Sequence, residues 1–185
     1  MMYKARIAVL YGVSLANDLF VIPLILIIHV LWGENLRWEG HVLCTNLKAA
    51  SWPRDPMHRL PLAGWYAHWA GTTFGHAIMY GRRPSHLTRV HEHVHVHQME
   101  GAQLKGLLLG LLVLLVTGKI GLAYLIWFLS PWAYLVSNWL VAILRGVDWY
   151  LDSAHEEHAY LTEHVLSEMA VTPYEQKLGI LQKYI

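Results

Sequence analysis

The chain reads as a mainly α, membrane-associated protein with a small β element set before one histidine-rich helix. Three observations predict this. Hydrophobic residues make up 55% of the 185 residues and charged residues only 15%, well below the charged share usual in soluble domains, and mean hydropathy is +0.32. Apolar segments recur at about 7–32, 106–118 and 120–144. Finally, "RVHEHVHVHQMEG" (89–101) holds four histidines at every second position, a pattern that is either a strand or one long face-alternating helix. The length fits a single domain, 1–185.

The N-terminus is basic at Lys4 and Arg6, then apolar from Ile7 to Trp32. That run is long enough to span a bilayer, although Asn17 and Asp18 interrupt it and Pro23 favours a kink. It exceeds the apolar core of a signal peptide and no small-x-small site follows, so it is expected to be retained. The region 33–84 is polar, with turn signals at Gly33, at Trp52-Pro53-Arg54-Asp55-Pro56 and at Gly81-Arg82-Arg83-Pro84. Inside it, "HVLCTNL" (41–47) and "TTFGHAIMYG" (72–81) look extended. The segment "GLLLGLLVLLVTG" (106–118) is too short to cross alone at about 1.5 Å per residue, and crosses only if it continues an earlier helix. Gly118-Lys119 reads as a hairpin tip, and Ile120 to Leu144 as a second long apolar helix bent at Pro131. Buried core helices of a soluble protein are the alternative. The absence of charge between Gly106 and Leu144, Lys119 apart, favours lipid. No internal repeat stands out.

With three crossings, the region holding Arg37, Lys48, Arg54, Arg59, Arg82, Arg83 and Arg89 lies on the same side as the tail holding Arg145, Lys177 and Lys183. The positive-inside rule makes that side cytoplasmic, with Lys4 and Arg6 running against it. The lone Cys44 excludes an internal disulfide and a thiolate metal site, and suits a reducing compartment. A net charge of +1 gives no electrostatic case for nucleic acid. Thirteen histidines are an excess, and the clusters at 91–97 and 155–158 point to metal.

Valine and histidine are poor helix formers, so alternation alone would favour a strand. Three features favour a helix. Ser85 after Pro84 can cap a helix, no turn precedes the apolar run after His97, and Glu92 acquires a role only on a helix. There His91 and His95 share one face, one turn apart, as two imidazole ligands of one zinc require. Glu92, beside the first ligand, is then placed to act as general base on an activated water. His93 and His97 form a second pair on nearly the opposite face, without a glutamate after the first. A three-ligand site needs one more residue, and "DSAHEEHAY" (152–160) offers Glu156, followed by Ala159, with His155, Glu157 and His158 beside it.

The series His91-Glu92-x-x-His95, two apolar segments, then Glu156-x-x-Ala159 resembles the layout of the membrane gluzincins, the CAAX-processing and heat-shock membrane metalloproteases. Residues 91–98 are also similar to the HExxHVxQ string of small bacterial proteins, and "FGHAIMYG" and "HEEHAY" fit that group. The resemblance covers about residues 72–160, with catalytic segments at about 72–101 and 150–165. It implies a zincin-like helical core, one Zn2+ held by His91, His95 and Glu156, Glu92 as base, and hydrolysis of a peptide or protein substrate at a lipid membrane. It also implies a substrate-pairing edge strand, with Thr73, Phe74, Gly75 and His76 as candidates, against an ordinary small hairpin. Tyr160 stands where those proteases have aspartate, so the residue that orients a histidine is unassigned. Glu157, His155 or His158 are alternative ligands, and Tyr160, His158 and His164 are candidate oxyanion donors. His68, and His76 outside the strand reading, read as structural. Two other functions fit histidines beside apolar helices: a membrane di-iron oxidase or desaturase, and a non-enzymatic metal-binding membrane protein.

Overall fold

The computed structural model describes residues 2–47, 71–81, 84–149 and 151–168. Helix α1 (Met2–Trp32) contains Pro23 and leads directly into strand β1 (Gly33–Glu39). Strands β2 (Val42–Leu47), β3 (Gly71–Phe74) and β4 (Ala77–Tyr80) follow. Then come helices α2 (His86–Thr117), α3 (Ile120–Arg145) and α4 (Ala154–Glu168). The mainly helical expectation holds, with the small sheet before the histidine-rich helix. The turn at 52–56 and His68 fall outside the described residues.

The four strands order as β1-β2-β4-β3. β1 and β3 run antiparallel to their neighbours, while β2 and β4 are parallel. Both extended stretches read from the sequence are present, the second as a β3–β4 hairpin. β1 was not foreseen. Its residues GENLRWE lack apolar alternation, and its register shifts between Glu34 and Arg37, where Asn35 takes a φ of 56°. Each hairpin closes with a Gly-His pair, Gly40-His41 and Gly75-His76, and the glycines adopt φ of 63° and 55°, the positive values a two-residue turn needs. Because β2 and β4 are parallel, the two turns lie at the same end of the sheet.

Period-two alternation sorts the strands onto two helices. Leu43, Leu47, Ala77 and Met79 pack with Val21 and Ile25 of α1. Val42, Cys44, Ile78 and Tyr80 pack with Val96 of α2. The sheet is therefore covered on both faces, which explains why every residue of β2 and β4 is buried.

Residues 91–97 are helical, as Ser85, Glu92 and the missing turn predicted. Ser85 Oγ accepts from Thr88 N at 3.0 Å to cap α2. Two residues on a helix advance about 200°, so alternate histidines fall on opposite sides rather than on one. The helix continues unbroken to Thr117 and a left-handed cap at Gly118, φ 66°. The 106–118 segment is thus the second half of a 32-residue helix, about 48 Å at 1.5 Å per residue. Gly106 and Gly110 face α3 so closely that a Cβ would sit 2.2 Å from Ser130 Oγ and 2.6 Å from Ala123 O respectively, a small-xxx-small contact typical of membrane helix pairs.

Ala8–Leu31, α2 and α3 are each long and apolar enough to cross a membrane. Their leucines point outward: Leu108, Leu112 and Leu115 of α2 are exposed, as are Leu122, Leu140 and Leu144 of α3. Polar residues such as Ser14, Asn17, Asp18 and Gln103 are buried instead. An apolar surface around a polar interior points to membrane association.

Candidate metal centre

The chain leaves α3 through a left-handed cap at Gly146 and a turn in which Asp148 Oδ1 accepts from Leu151 N at 2.8 Å. That turn reverses it, and α4 returns against the first half of α2. Its first acidic residue, Glu156, meets α2's histidines. Glu156 Oε2 lies 3.0 Å from His91 Nε2, Glu156 Oε1 lies 3.4 Å from His95 Nε2, and the two imidazole Nε2 atoms are 3.1 Å apart. All three residues are buried. Ligands at about 2.05 Å from a tetrahedral ion are separated by about 3.4 Å, so these side chains need to move only a few tenths of an ångström to hold one. Two imidazoles and a carboxylate suit zinc and other divalent transition metals, and the triad can hold such an ion.

The neighbours set the chemistry of the ligands. Gln98 Nε2 donates to His155 O at 2.9 Å, which turns Gln98 Oε1 towards His95 Nδ1, 3.0 Å away. His95 therefore donates from Nδ1, so that Nε2, which hydrogen-bonds Glu156 in the absence of an ion, is the atom free to bind one by giving up its proton. Glu163 Oε2 lies 3.3 Å from His91 Nδ1, at ion-pair distance but outside hydrogen-bond geometry. Burial pushes the Glu156 carboxyl up, but hydrogen bonds from His91 and His95 outweigh it and hold the group at about 2. Its carboxylate is thus the form present at neutral pH. The His155 imidazole is pushed down to about 4, by burial first and then by the charge of His95.

Glu92 is also buried. Thr73 Oγ1 donates to Glu92 Oε2 at 2.7 Å and lies 3.0 Å from Glu92 O. Gly71 fits against the same carboxylate, since a Cβ there would meet Glu92 Oε1 at 2.8 Å. Glu92, His95 and Glu156 line one cavity of about 320 Å3, together with Phe74, Trp132 and Trp139.

Of the expected site residues, the fold brings His91, His95 and Glu156 together and places Glu92 beside them. Glu157, His158 and His164 are exposed, with His158 Nδ1 3.2 Å from Gln98 Nε2. Tyr160 is half-exposed, its ring 4.7 Å from that of His91. The substrate-strand candidates divide. Thr73 and Phe74 lie on β3 at the sheet edge. Gly75 and His76 form the turn instead, and His76 is fully buried, with Nδ1 2.7 Å from Asp18. His76 does not face a substrate, because its buried ring is held between Asp18 and Glu100. Gln98 and Glu163 were not read from the sequence as orienting partners. The glutamine of the HExxHVxQ string was the available signal for the first, and the seven-residue spacing from Glu156, two helical turns, for the second.

Comparison with known protein families, with characterised proteins and with solved structures found no match.

Proposed function

We propose that the protein is a membrane-embedded zinc metallopeptidase of the gluzincin type. One observation carries the reading: His91, His95 and Glu156 converge to ligand separations of 3.0–3.4 Å beside a buried glutamate in an apolar cavity. A zinc ion held there would polarise a carbonyl as a Lewis acid and lower the pKa of water.

The chain's own residues account for the remaining roles. Glu92 takes a proton from the attacking water as its oxygen bonds to the carbonyl carbon, and passes that proton to the amine as the C–N bond breaks. Thr73 fixes the carboxylate for that transfer through the 2.7 Å hydrogen bond. His155 in the cavity wall and Tyr160 against His91 flank the triad and are the proposed donors to the developing oxyanion. Among the described residues nothing pairs with the outer edge of β3, so an extended peptide can add there as a further strand. The aromatic lining of the cavity favours an apolar side chain in that peptide. The β-sheet and α4 both pack on the first half of α2, which suits a three-crossing layout with the site on one side, and the positive-inside rule favours the cytoplasm for that side.

Glu92→Gln tests the reading. It should keep the metal and lose cleavage of apolar peptides by about 10²–10⁴-fold, the contribution of a general base. Undiminished hydrolysis by metal-loaded Glu92→Gln would refute it.

A further inference from the structure

A second group of side chains, separate from the first, gathers where the two hairpin turns meet α1 and α2. Gly40-His41 and Gly75-His76 deliver their histidines to one carboxylate, Glu100 of α2. His41 Nε2 lies 2.6 Å and His76 Nε2 2.9 Å from the same oxygen, Glu100 Oε1. The other oxygen, Oε2, accepts from His97 Nδ1 at 2.8 Å. Behind His76, Asp18 Oδ2 lies 2.7 Å from Nδ1. Tyr11 packs edge-on to both His41 and His76, with ring centroids 6.2 and 5.0 Å away, and its hydroxyl donates to His41 O. His76 is 0% exposed, Asp18 5%, His41 7% and Glu100 7%.

We propose that His41, His76 and Glu100 form a second, structural site for a divalent transition-metal ion of the zinc class. Asp18 sets the tautomer of His76. In the neutral imidazole Asp18 accepts the Nδ1 proton and Nε2 keeps a lone pair facing those of Glu100 Oε1; without an ion a second proton, favoured by both carboxylates, holds that place. Two acceptors at 2.9 Å need a cation or a proton between them. Carboxylate–histidine–metal is the arrangement in which an outer carboxylate orients a ligating imidazole. The charge count agrees: Asp18 and Glu100 are two buried carboxylates, and one divalent ion neutralises both with every histidine neutral. One ligand atom from each of the three residues lies within 4.8 Å of the others, a spread that an ion with bonds of about 2.0–2.2 Å can close. His97 steadies the remaining oxygen of Glu100. Burial on all sides, under the Tyr11 ring, marks a closed structural site rather than one with an open position. The ion ties both hairpins to α1 and α2 at the same sheet end. The inference is independent of whether the first centre hydrolyses peptides.

The test uses the full chain, without a polyhistidine tag, in detergent. It is stripped by a chelator and titrated with Co2+ against a competing chelator, and uptake is followed by visible absorption. Wild type should saturate at two equivalents. His91→Ala with His95→Ala, which leaves the second group untouched, should still take one. Glu100→Gln should take one and keep the spectrum of the first centre. Loss of all binding in the His91/His95 double variant, or as many equivalents in Glu100→Gln as in wild type, would each overturn the proposal, and wild type that takes up no ion overturns it even where a variant fails to fold.

Discussion

Replacing Gln98 by alanine removes, besides its contact with His158, two hydrogen bonds that do different things. Its Oε1 holds His95 Nδ1 at 3.0 Å, and its Nε2 ties α2 to the start of α4 through His155 O at 2.9 Å. Loss of a partner that orients a metal-ligating histidine typically weakens metal binding 10- to 100-fold, which is about 1.4–2.8 kcal/mol at about 1.4 per tenfold. Loss of the bond to His155 O costs about 1 kcal/mol of stability net. The affinity is read for the ion that His95→Ala removes, by competition with a chromophoric chelator, and stability by thermal unfolding in detergent. Gln98→Glu separates the contributions. It restores an acceptor for His95 Nδ1 but sets a carboxylate against His155 O, so affinity should recover while stability falls. Wild-type affinity in Gln98→Ala would refute the orienting role. Equal weakening in Gln98→Ala and Gln98→Glu would assign the effect to helix docking instead.

Three further outcomes are expected. Thr73→Val removes the donor to Glu92 Oε2 without touching the His91/His95/Glu156 triad, so the proposed peptide hydrolysis should fall about tenfold, roughly the worth of one net hydrogen bond, with metal content unchanged on elemental analysis. Gly110→Leu drives a side chain into Ala123 O, 2.6 Å from the Cβ position. Overpacking of this kind costs typically 1–3 kcal/mol and should lower the unfolding temperature, whereas Gly121→Leu, with open space at its Cβ, should not. Cys44 is fully buried, and burial, with the nearby Glu39 charge, pushes its thiol up to about 12. A maleimide at neutral pH should therefore leave it unlabelled in the folded protein and label it fully after denaturation; rapid native labelling would contradict the packing of β2 against α2.

The legible parts of the site were local. Glu92 selected the frame His91/His95 because helical spacing alone decides which side chains share a face. The two hairpins were visible as short β-branched and aromatic runs. His93 and His97 were rightly set on the other face of α2, but that face is not idle: it packs on the sheet, and both histidines are buried. β1 was illegible because a polar edge strand with an irregular register carries no alternation. The Gly-His pairs ending both hairpins were present as letters, yet their shared purpose depends on β2 and β4 being parallel.

By itself, the sequence determined that the chain is mainly helical, apolar enough for a membrane, and carries His91, Glu92 and His95 at helical spacing. These follow from composition and from periodicities of two and 3.6 residues, which are properties of neighbouring positions. Only the tertiary structure decided that Glu156, 65 positions from His91, completes the triad, that Gln98 orients His95, and that His41 reaches Glu100 across 59 positions. Such contacts depend on how a sheet is sandwiched between α1 and α2 and how a turn after α3 brings α4 back. No local period encodes the distance between side chains on different elements, because packing fixes that distance.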